Sequence, residues 1–188
     1  MVYVKYALCE SADDNCRRDT AHRARAELLN IAFDITNTDE LIKIANGGKP
    51  YIENAPFDFS DAHTENAVAV AAAGEGGYIE GLICIDETCK KIGIDIEYSG
   101  RAVKKEKMAI VIRKLFSRKE SEYVCLGTPG DKERFLEIWT KKESIIKATG
   151  EGLKAIRGAD TFKFSGAFLK TEYVKLGEKD YIVSLAGI

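Results

Sequence analysis

The sequence has 188 residues, a length typical of one domain or of two small ones. Its 28 Lys and Arg nearly balance its 30 Asp and Glu, and the formal net charge of −2 excludes both a strongly basic nucleic-acid-binding protein and an acidic disordered tail. With 45% hydrophobic residues and three prolines, the chain is expected to form a core without help from disulfides or metal. The sequence opens without a charged leader followed by an apolar core and contains no apolar run of ~18 residues, so we expect a cytoplasmic protein with no membrane association.

The number and spacing of the cysteines indicate a protein from a reducing compartment. There are five, at positions 9, 16, 84, 89 and 125, and no two form a C-x-x-C pair. An odd number without paired spacing predicts reduced thiols. Zinc needs ligands in closely spaced pairs, and with no paired cysteines and only two histidines, His22 and His63, a structural zinc site is not expected.

The first half of the chain is expected to begin with a strand, followed by helices and then by strands. Alternation of apolar and polar residues predicts the strands, and apolar residues at helical spacing predict the helices, with a polar loop at 10–18. The turn-forming residues 46–48 end the second helix. The predicted elements are Val2–Cys9, a helix at Thr20–Phe33, a helix at Thr38–Ala45, an extended segment at Gly48–Tyr51, and strands at Ala67–Ala73, Tyr78–Ile85 and Lys90–Tyr98.

The second half repeats this order. Ser117 is placed to cap a short helix, and Gly150 is placed to end a long one. The predicted elements are helices at Val103–Phe116, just after Ser117 and at Asp131–Thr149, and strands at Thr161–Phe164, Ala167–Leu176 and Tyr181–Ala186. Helices segregated from antiparallel hairpins indicate an α+β fold rather than alternating βαβ units.

Two carboxylates lie together on the last strand of the first half. Residues two apart on a strand point to one face, so Asp95 and Glu97 project together while Ile94 and Ile96 face a core. Such a pair is either an ordinary exposed acidic face or part of a site for a hard cation such as Mg²⁺, which prefers carboxylates, waters and phosphates. The spacing alone leaves both interpretations open.

The long helix carries a second group of charged residues. Glu143 and Lys147 are four residues apart and share a face, while Lys142 interrupts the apolar stripe. Taken alone, Glu143 and Lys147 could be a surface ion pair that contributes ~0.2–0.5 kcal/mol.

Together the two segments resemble the signature of the 4'-phosphopantetheinyl transferases. The Gly-Ile-Asp-x-Glu block at 93–97 is followed, 44 positions from Asp95 to Trp139, by Trp-Thr-x-Lys-Glu-Ser-x-x-Lys. Weaker matches occur in the family's order, at Ala21-His22-Arg23, Gly48-Lys49-Pro50-Tyr51, Phe116-Ser117-x-x-Glu120 and Gly150-x-Gly152-Leu153. The resemblance covers roughly residues 20 to 155.

The sequence departs from the family pattern ahead of the central strands. Relatives carry Phe-Asn-x-Ser-His, whose Ser-His contacts the 3'-phosphate of coenzyme A. Counted from Gly48, Phe59 to His63 align with this block without a gap, which keeps the histidine but puts Ala62 in the serine's place. The alternative pairs Ser60-Asp61 with Ser-His and loses the histidine. A longer hairpin about Gly74–Thr88 is a further departure.

The resemblance implies an α+β pseudo-dimer of the single-chain, surfactin-synthetase-activating type. Its similar halves would be residues 1–98 and 99–188, in a monomer with the coenzyme pocket between them. The implied reaction is Mg²⁺-dependent, with Mn²⁺ as an alternative metal. It transfers the 4'-phosphopantetheine arm of coenzyme A to a serine of an acyl or peptidyl carrier protein and releases adenosine 3',5'-bisphosphate.

The resemblance also implies roles for individual residues. Asp95, Glu97 and Glu143 would hold the metal. Glu143 and Lys147 would be catalytic, Glu143 as ligand or base and Lys147 as a stabiliser of negative charge. The coenzyme would be bound by Arg23, Lys49, Pro50, His63, Asp95, Lys142 and Lys147.

A basic run extends from Arg101 to Lys119. It holds eight Lys or Arg and one aromatic residue, Phe116. The run is a solvated helix face, a landing site for an acidic carrier protein, or a nucleic-acid patch, and the lack of interleaved aromatics disfavours the last. A relative that binds coenzyme A or a carrier protein without turnover is the remaining alternative to an enzyme.

Overall fold

A computed structural model describes every residue from 1 to 188. The chain forms nine strands, five α-helices and one short 3-10 helix at Leu153–Ala155. The strands are β1 (Val2–Leu8), β2 (Ile42–Ile44), β3 (Pro50–Ile52), β4 (Asp58–Thr64), β5 (Ala67–Ala73), β6 (Ile83–Ile85), β7 (Ile92–Tyr98), β8 (Phe168–Leu176) and β9 (Lys179–Gly187). The helices are α1 (Asp14–Phe33), α2 (Thr38–Leu41), α3 (Lys105–Leu115), α4 (Arg118–Val124) and α5 (Asp131–Thr149).

The strands form three antiparallel sheets. The first has the order β4-β5-β1-β6, the second has the order β7-β9-β8, and β2 and β3 form a separate hairpin. Helix α1 packs on the first sheet and α5 on the second. The segregation of helices and antiparallel strands confirms the predicted α+β class.

The two sheets pack face to face around a shared apolar core. Strand β5 is buried on both faces because it is sandwiched between layers. Its residues 67, 69, 71 and 73 meet β7 and β9 in one core cluster, while Val68, Val70 and Ala72 meet Leu28 and Leu29 of α1 in another. A strand with two covered faces needs apolar side chains throughout, and the sequence Ala-Val-Ala-Val-Ala-Ala-Ala meets that need.

Strands β4 and β7 lie side by side and are joined through side chains. The Asp58 carboxylate accepts a hydrogen bond from the backbone N–H of Ile92 at 2.8 Å, and the Ser60 hydroxyl accepts one from Ile94 at 3.2 Å. Polar side chains of β4 therefore satisfy β7 N–H groups that would otherwise be buried without partners. This contact fixes the position of Asp95 and Glu97 relative to the first sheet.

Helix α5, the cap of α4 and strand β5 confirm the predictions. Helix α5 spans the predicted residues and ends at Gly150, whose φ of 74° is the left-handed conformation that glycine adopts freely. Ser117 caps α4 in a reciprocal capping box with Glu120. Strand β5 also has the predicted bounds.

The bounds of several elements in the first half differ from the predictions. Helix α1 begins at Asp14, within the predicted loop, because the Asp13 side chain accepts from the Cys16 N–H and caps it. The second helix ends at Leu41, since the next residues pair as β2 with β3. Strand β4 was not predicted.

Two further strand predictions were wrong in extent or existence. The predicted strand Tyr78–Ile85 is reduced to β6, which pairs with β1 rather than forming a local hairpin with the next strand. Residues 161–164 form turns, in which the Asp160 side chain accepts a hydrogen bond from the Phe162 N–H.

The division into halves at 98/99 and the pseudo-dimer stay predictions. Strand β7, before this boundary, hydrogen-bonds to β9, which lies after it. No helix combines the length and the apolar character needed to cross a bilayer.

Candidate active site

A glycine allows α5 to pack directly on β7. A Cβ added to Gly93 would lie 2.5 Å from the backbone N of Ala148 and closer still to the carbonyl O of Ser144. Only a residue without a side chain permits this approach of helix to strand. Because Gly93, Asp95 and Glu97 share one face of β7, the contact places both carboxylates beside the turn of α5 that carries Glu143 and Lys147.

Lys147 joins the helix to the strand. Its Nζ donates to a carboxylate oxygen of Asp95 at 2.8 Å and to the carbonyl O of Ile94 at 3.1 Å. Burial raises the pKa of Asp95 to about 6, against the opposing effect of Lys147. The structure thus brings together two residues that are 52 positions apart in the sequence.

Glu97 and Glu143 lie near Asp95, and we call these three carboxylates the acidic group. Glu97 accepts from Thr64 Oγ1 at 3.0 Å and from Arg101 Nη1 at 2.5 Å. Burial, followed by the negative charge of Asp95, raises the pKa of Glu143 to about 7, with a smaller contribution from Glu97. Negative charge from three carboxylates on two elements is therefore concentrated beside Lys147 and Arg101.

A cavity of about 730 Å³ opens beside this group. Glu143 and Lys147 line it from α5, and Lys49 and Pro50 line it from the β2–β3 hairpin. Lys49 Nζ donates to the carbonyl O of Ile92 at 3.0 Å and pairs with Asp58, while burial lowers the pKa of Lys49. The cavity is of a size that suits a nucleotide-like ligand.

Glycine segments close one side of the cavity. A Cβ on Gly47 would overlap the carbonyl O of Gly150, and one on Gly152 would lie 2.8 Å from the Gly47 O. The loop before Lys49 and the loop after α5 therefore touch backbone to backbone. This contact joins two segments that the sequence analysis matched separately.

A family model of the 4'-phosphopantetheinyl transferase superfamily matches residues 91–185, half of the chain. The chain belongs to this superfamily. Its members transfer phosphopantetheine from coenzyme A to carrier proteins. The matched region contains β7 and α5, which carry the four charged residues described above. No curated protein matches the sequence.

The structure does not bring Lys142 to the transferase cavity. Its side chain is 0% exposed, and its Nζ donates to Glu120 at 3.0 and 3.2 Å and to the Ala159 carbonyl at 2.7 Å. Glu120 also accepts from the N–H groups of Ser117 and Thr161. The expected coenzyme contact is corrected accordingly: Lys142 anchors α5 to α4 from the far side of the helix.

Arg23 and His63 also lie outside the cavity lining. Arg23 is exposed on α1. His63 lies in a neighbouring depression with Arg17, Glu97 and Arg101, and burial lowers its pKa, followed by the charge of Arg17. The expected coenzyme contacts of Arg23 and His63 are therefore not supported by this geometry.

The cavity is lined instead by residues that the sequence analysis did not assign to it. Arg25 of α1 and Asp61 of β4 face it and form an ion pair of 3.1 Å, and Ser60 lines it beside them. The position of Ser60 and Asp61 agrees with the alternative alignment, in which they replace Ser-His. Arg25 follows the matched Ala21–Arg23 segment by two residues, which is the one signal that could have identified it.

The acidic group suits a hard divalent cation by its chemistry. Its members are carboxylates, the ligands that Mg²⁺ prefers, and they are buried enough to raise two pKa values. In their present rotamers, Asp95 is paired with Lys147 and Glu97 with Arg101, and no three acidic, histidine or cysteine side chains are grouped closely enough to ligate a metal. The carboxylate oxygens of this group are of the kind that Mg²⁺ prefers, and its binding would require these ion pairs to loosen.

The basic run of 101–119 presents its charged side chains to solvent. All eight of its Lys and Arg are exposed. Its apolar residues Met108, Ile112 and Phe116 pack instead into a core with Phe135 and Leu136. Any partner that contacts this surface therefore meets its charged face.

Proposed function

We propose that this protein transfers the 4'-phosphopantetheine arm of coenzyme A to a serine of an acyl or peptidyl carrier protein. The observation that carries the proposal is the convergence of Asp95, Glu143 and Lys147 at the edge of a cavity that Lys49 also lines. The transfer breaks the diphosphate bond of the coenzyme and forms a bond from the serine oxygen to phosphorus, with adenosine 3',5'-bisphosphate as the leaving group.

The charged residues of the cavity have separate tasks. Lys147 lines the cavity and is held at its edge by hydrogen bonds to Asp95 and to the Ile94 carbonyl, so its ammonium group lies close enough to stabilise negative charge on the diphosphate. Lys49, anchored by Ile92 and Asp58, binds another phosphate oxygen. Glu143, which lines the cavity on the same helix as Lys147, accepts the serine proton.

Asp95, Glu97 and Glu143 would hold Mg²⁺. When bound, the metal neutralises phosphate charge and acts as a Lewis acid at the phosphoryl oxygens. In the structure, Lys147 and Arg101 neutralise part of the charge of Asp95 and Glu97.

The carrier protein would dock on the exposed basic run. Arg101 pairs with Glu97, so one end of the run touches the acidic group itself. An acidic partner attracted to this surface brings its serine to the edge of the cavity. We propose that the protein acts as a monomer, since residues of both predicted halves line one cavity within a single chain.

Intact mass spectrometry of a panel of apo carrier proteins tests the function. Each is incubated with the protein, coenzyme A and Mg²⁺, and in parallel with EDTA in place of Mg²⁺. The proposal predicts that at least one carrier gains the mass of a single phosphopantetheine arm, and that EDTA abolishes the gain. Tight binding of coenzyme A without any mass gain would instead indicate a non-catalytic relative.

A further inference from the structure

Asp58 of β4 closes a small network around Lys49 at the wall of the cavity. The Asp58 carboxylate pairs with Lys49 Nζ and accepts a hydrogen bond from the Ile92 N–H at 2.8 Å. Lys49 Nζ also donates to the carbonyl O of Ile92 at 3.0 Å. The network therefore joins the β2–β3 hairpin to β4 and β7 through side chains.

The network fixes the Lys49 ammonium group and leaves part of it for a ligand. The Lys49 side chain is 11% exposed and that of Asp58 is 17% exposed, and Lys49 lines the cavity whereas Asp58 does not. An ammonium group has three N–H donors, of which Asp58 and the Ile92 carbonyl take two. The third donor remains for an anion in the cavity.

Asp58 also supplies negative charge that balances Lys49. Burial lowers the pKa of Lys49, the Asp58 carboxylate raises it, and the nearby charge of Lys91 lowers it further. The Cys89 thiol also lies close to Lys49, but burial raises the pKa of this thiol, so it is neutral at neutral pH. Lys49 is hydrogen-bonded to none of the other titratable residues that line the cavity, which are His22, Arg25, Asp39, Asp61, Glu143 and Lys147.

We infer that Asp58 is a positioning residue for the donor: it holds the Lys49 ammonium group at the cavity wall and preserves its positive charge there. The inference rests on the proposed function and adds to it a residue that does not itself touch the donor. Without the carboxylate, the buried ammonium group would lack a counter-charge and would release its proton at lower pH. Binding of the anionic donor would then be lost at a pH at which the wild type still binds it.

Asp58→Asn separates the charge of Asp58 from its geometry, because an amide oxygen can still accept from the Ile92 N–H. The KM for coenzyme A is measured at neutral and alkaline pH with one apo carrier protein. In Asp58→Asn it should start to rise about 1–3 pH units below the pH at which the wild-type KM rises, since a neighbouring opposite charge shifts a pKa by that much. Asp58→Glu keeps the charge and should keep the wild-type profile. Glu53→Gln is the matched control and should do the same, because Glu53 pairs with Lys43 on the exposed side of the same hairpin.

Titration of Lys49 by NMR with isotope-labelled lysine separates the inference from the proposed function. The signal of Lys49 is the one missing from Lys49→Arg, and it should titrate at lower pH in Asp58→Asn than in the wild type. Two results would overturn the inference while transfer continues: a Lys49 titration that Asp58→Asn does not move, or a moved titration with an unchanged KM profile.

If no carrier protein is modified, the proposed function fails. Calorimetry with coenzyme A at neutral and alkaline pH then decides the inference. It predicts that affinity falls more between the two pH values in Asp58→Asn than in the wild type, and equal falls, or no binding by either protein, would overturn it.

Discussion

Replacement of Gly93 by alanine tests how the site is assembled. The new Cβ would lie 2.5 Å from the Ala148 N, whereas real Cβ contacts begin at 3.0 Å and ordinary ones at 3.4 Å. Helix α5 must therefore retreat from β7 by about 1 Å, and Glu143 and Lys147 move with it. The φ of Gly93 is not in the left-handed region, so alanine introduces no backbone strain and the effect is one of packing alone.

The size of the effect follows from two magnitudes. Overpacking of a core costs about 1–3 kcal/mol, which in a chain of this length lowers the melting temperature by roughly 2–12 °C. A displacement of about 1 Å in a catalytic group costs about a hundredfold in rate. Gly93→Ala should therefore fold with a moderately lower Tm and lose about a hundredfold in kcat for transfer.

Calorimetric Tm and the rate of transfer to an apo carrier protein measure the two effects. Gly77→Ala is the matched control, since a Cβ there meets no atom within 4 Å and its φ is not positive. It should change neither quantity. Wild-type kcat in Gly93→Ala would refute the argument that close contact of α5 with β7 positions the charged residues.

Three further predictions concern single features of the structure. Glu143→Gln should raise the free energy of unfolding by about 1–2 kcal/mol at pH 8 and leave it unchanged at pH 4. The reason is that the pKa of Glu143 is raised in the folded state, so that ionisation of its carboxyl destabilises the fold progressively as the pH rises from about 4.5 to 7. Urea melts at both pH values measure the difference. Glu120→Ala should cost about 3–5 kcal/mol by leaving Lys142 buried and unpaired, and the double variant Glu120→Leu with Lys142→Met should recover most of that stability in the same melts. Reversal of Lys104 and Lys105 to Glu should raise the KM for the carrier protein, most at low salt, and leave the KM for coenzyme A unchanged in assays at graded ionic strength.

For each of these three predictions, one result would contradict it. An equal gain in stability at both pH values would mean that Glu143 is not destabilised by its charge. A double variant as unstable as Glu120→Ala would show that the helix needs the ion pair itself. Coincident plots of carrier KM against ionic strength for wild type and the reversed variant would leave the basic run as a solvated helix face.

The parts of the fold with local signals could be predicted from the sequence. Helix α5 has apolar residues at helical spacing and a glycine at its end, and Ser117 with Glu120 forms a capping box within four residues. Strand β5 has turn residues after it and an unbroken apolar run. In each case the residues that define the element are close together in the chain.

The parts that depend on distant partners could not be predicted. Strand β4 is rich in polar residues, and its Asp58, Ser60 and Thr64 find their hydrogen-bond partners on β7, more than 30 positions away. In the sequence, Arg25 has no feature that distinguishes it from other charged helix residues, because its partner Asp61 lies on the distant strand β4. Such contacts become visible only when the sheets are assembled.

The resemblance to the transferases implied the acidic group of Asp95, Glu97 and Glu143, and it also implied a coenzyme contact for Lys142, whose side chain instead binds Glu120. The motif places Lys142 next to Glu143, but adjacent residues on a helix point about 100° apart, so Lys142 faces away from the cavity and reaches Glu120. A motif therefore identifies the helix, and the helix geometry decides which of its residues reach the site.

The most direct test of the central claim is a mutant cycle on Asp95 and Glu143. Transfer of phosphopantetheine to one apo carrier protein is measured by intact mass for the wild type, Asp95→Asn, Glu143→Gln and the double variant at saturating Mg²⁺. If the two carboxylates act as one site, each single variant loses most of the activity and the double variant loses little more. Near-normal transfer by either single variant, or losses that multiply in the double variant, would contradict the account.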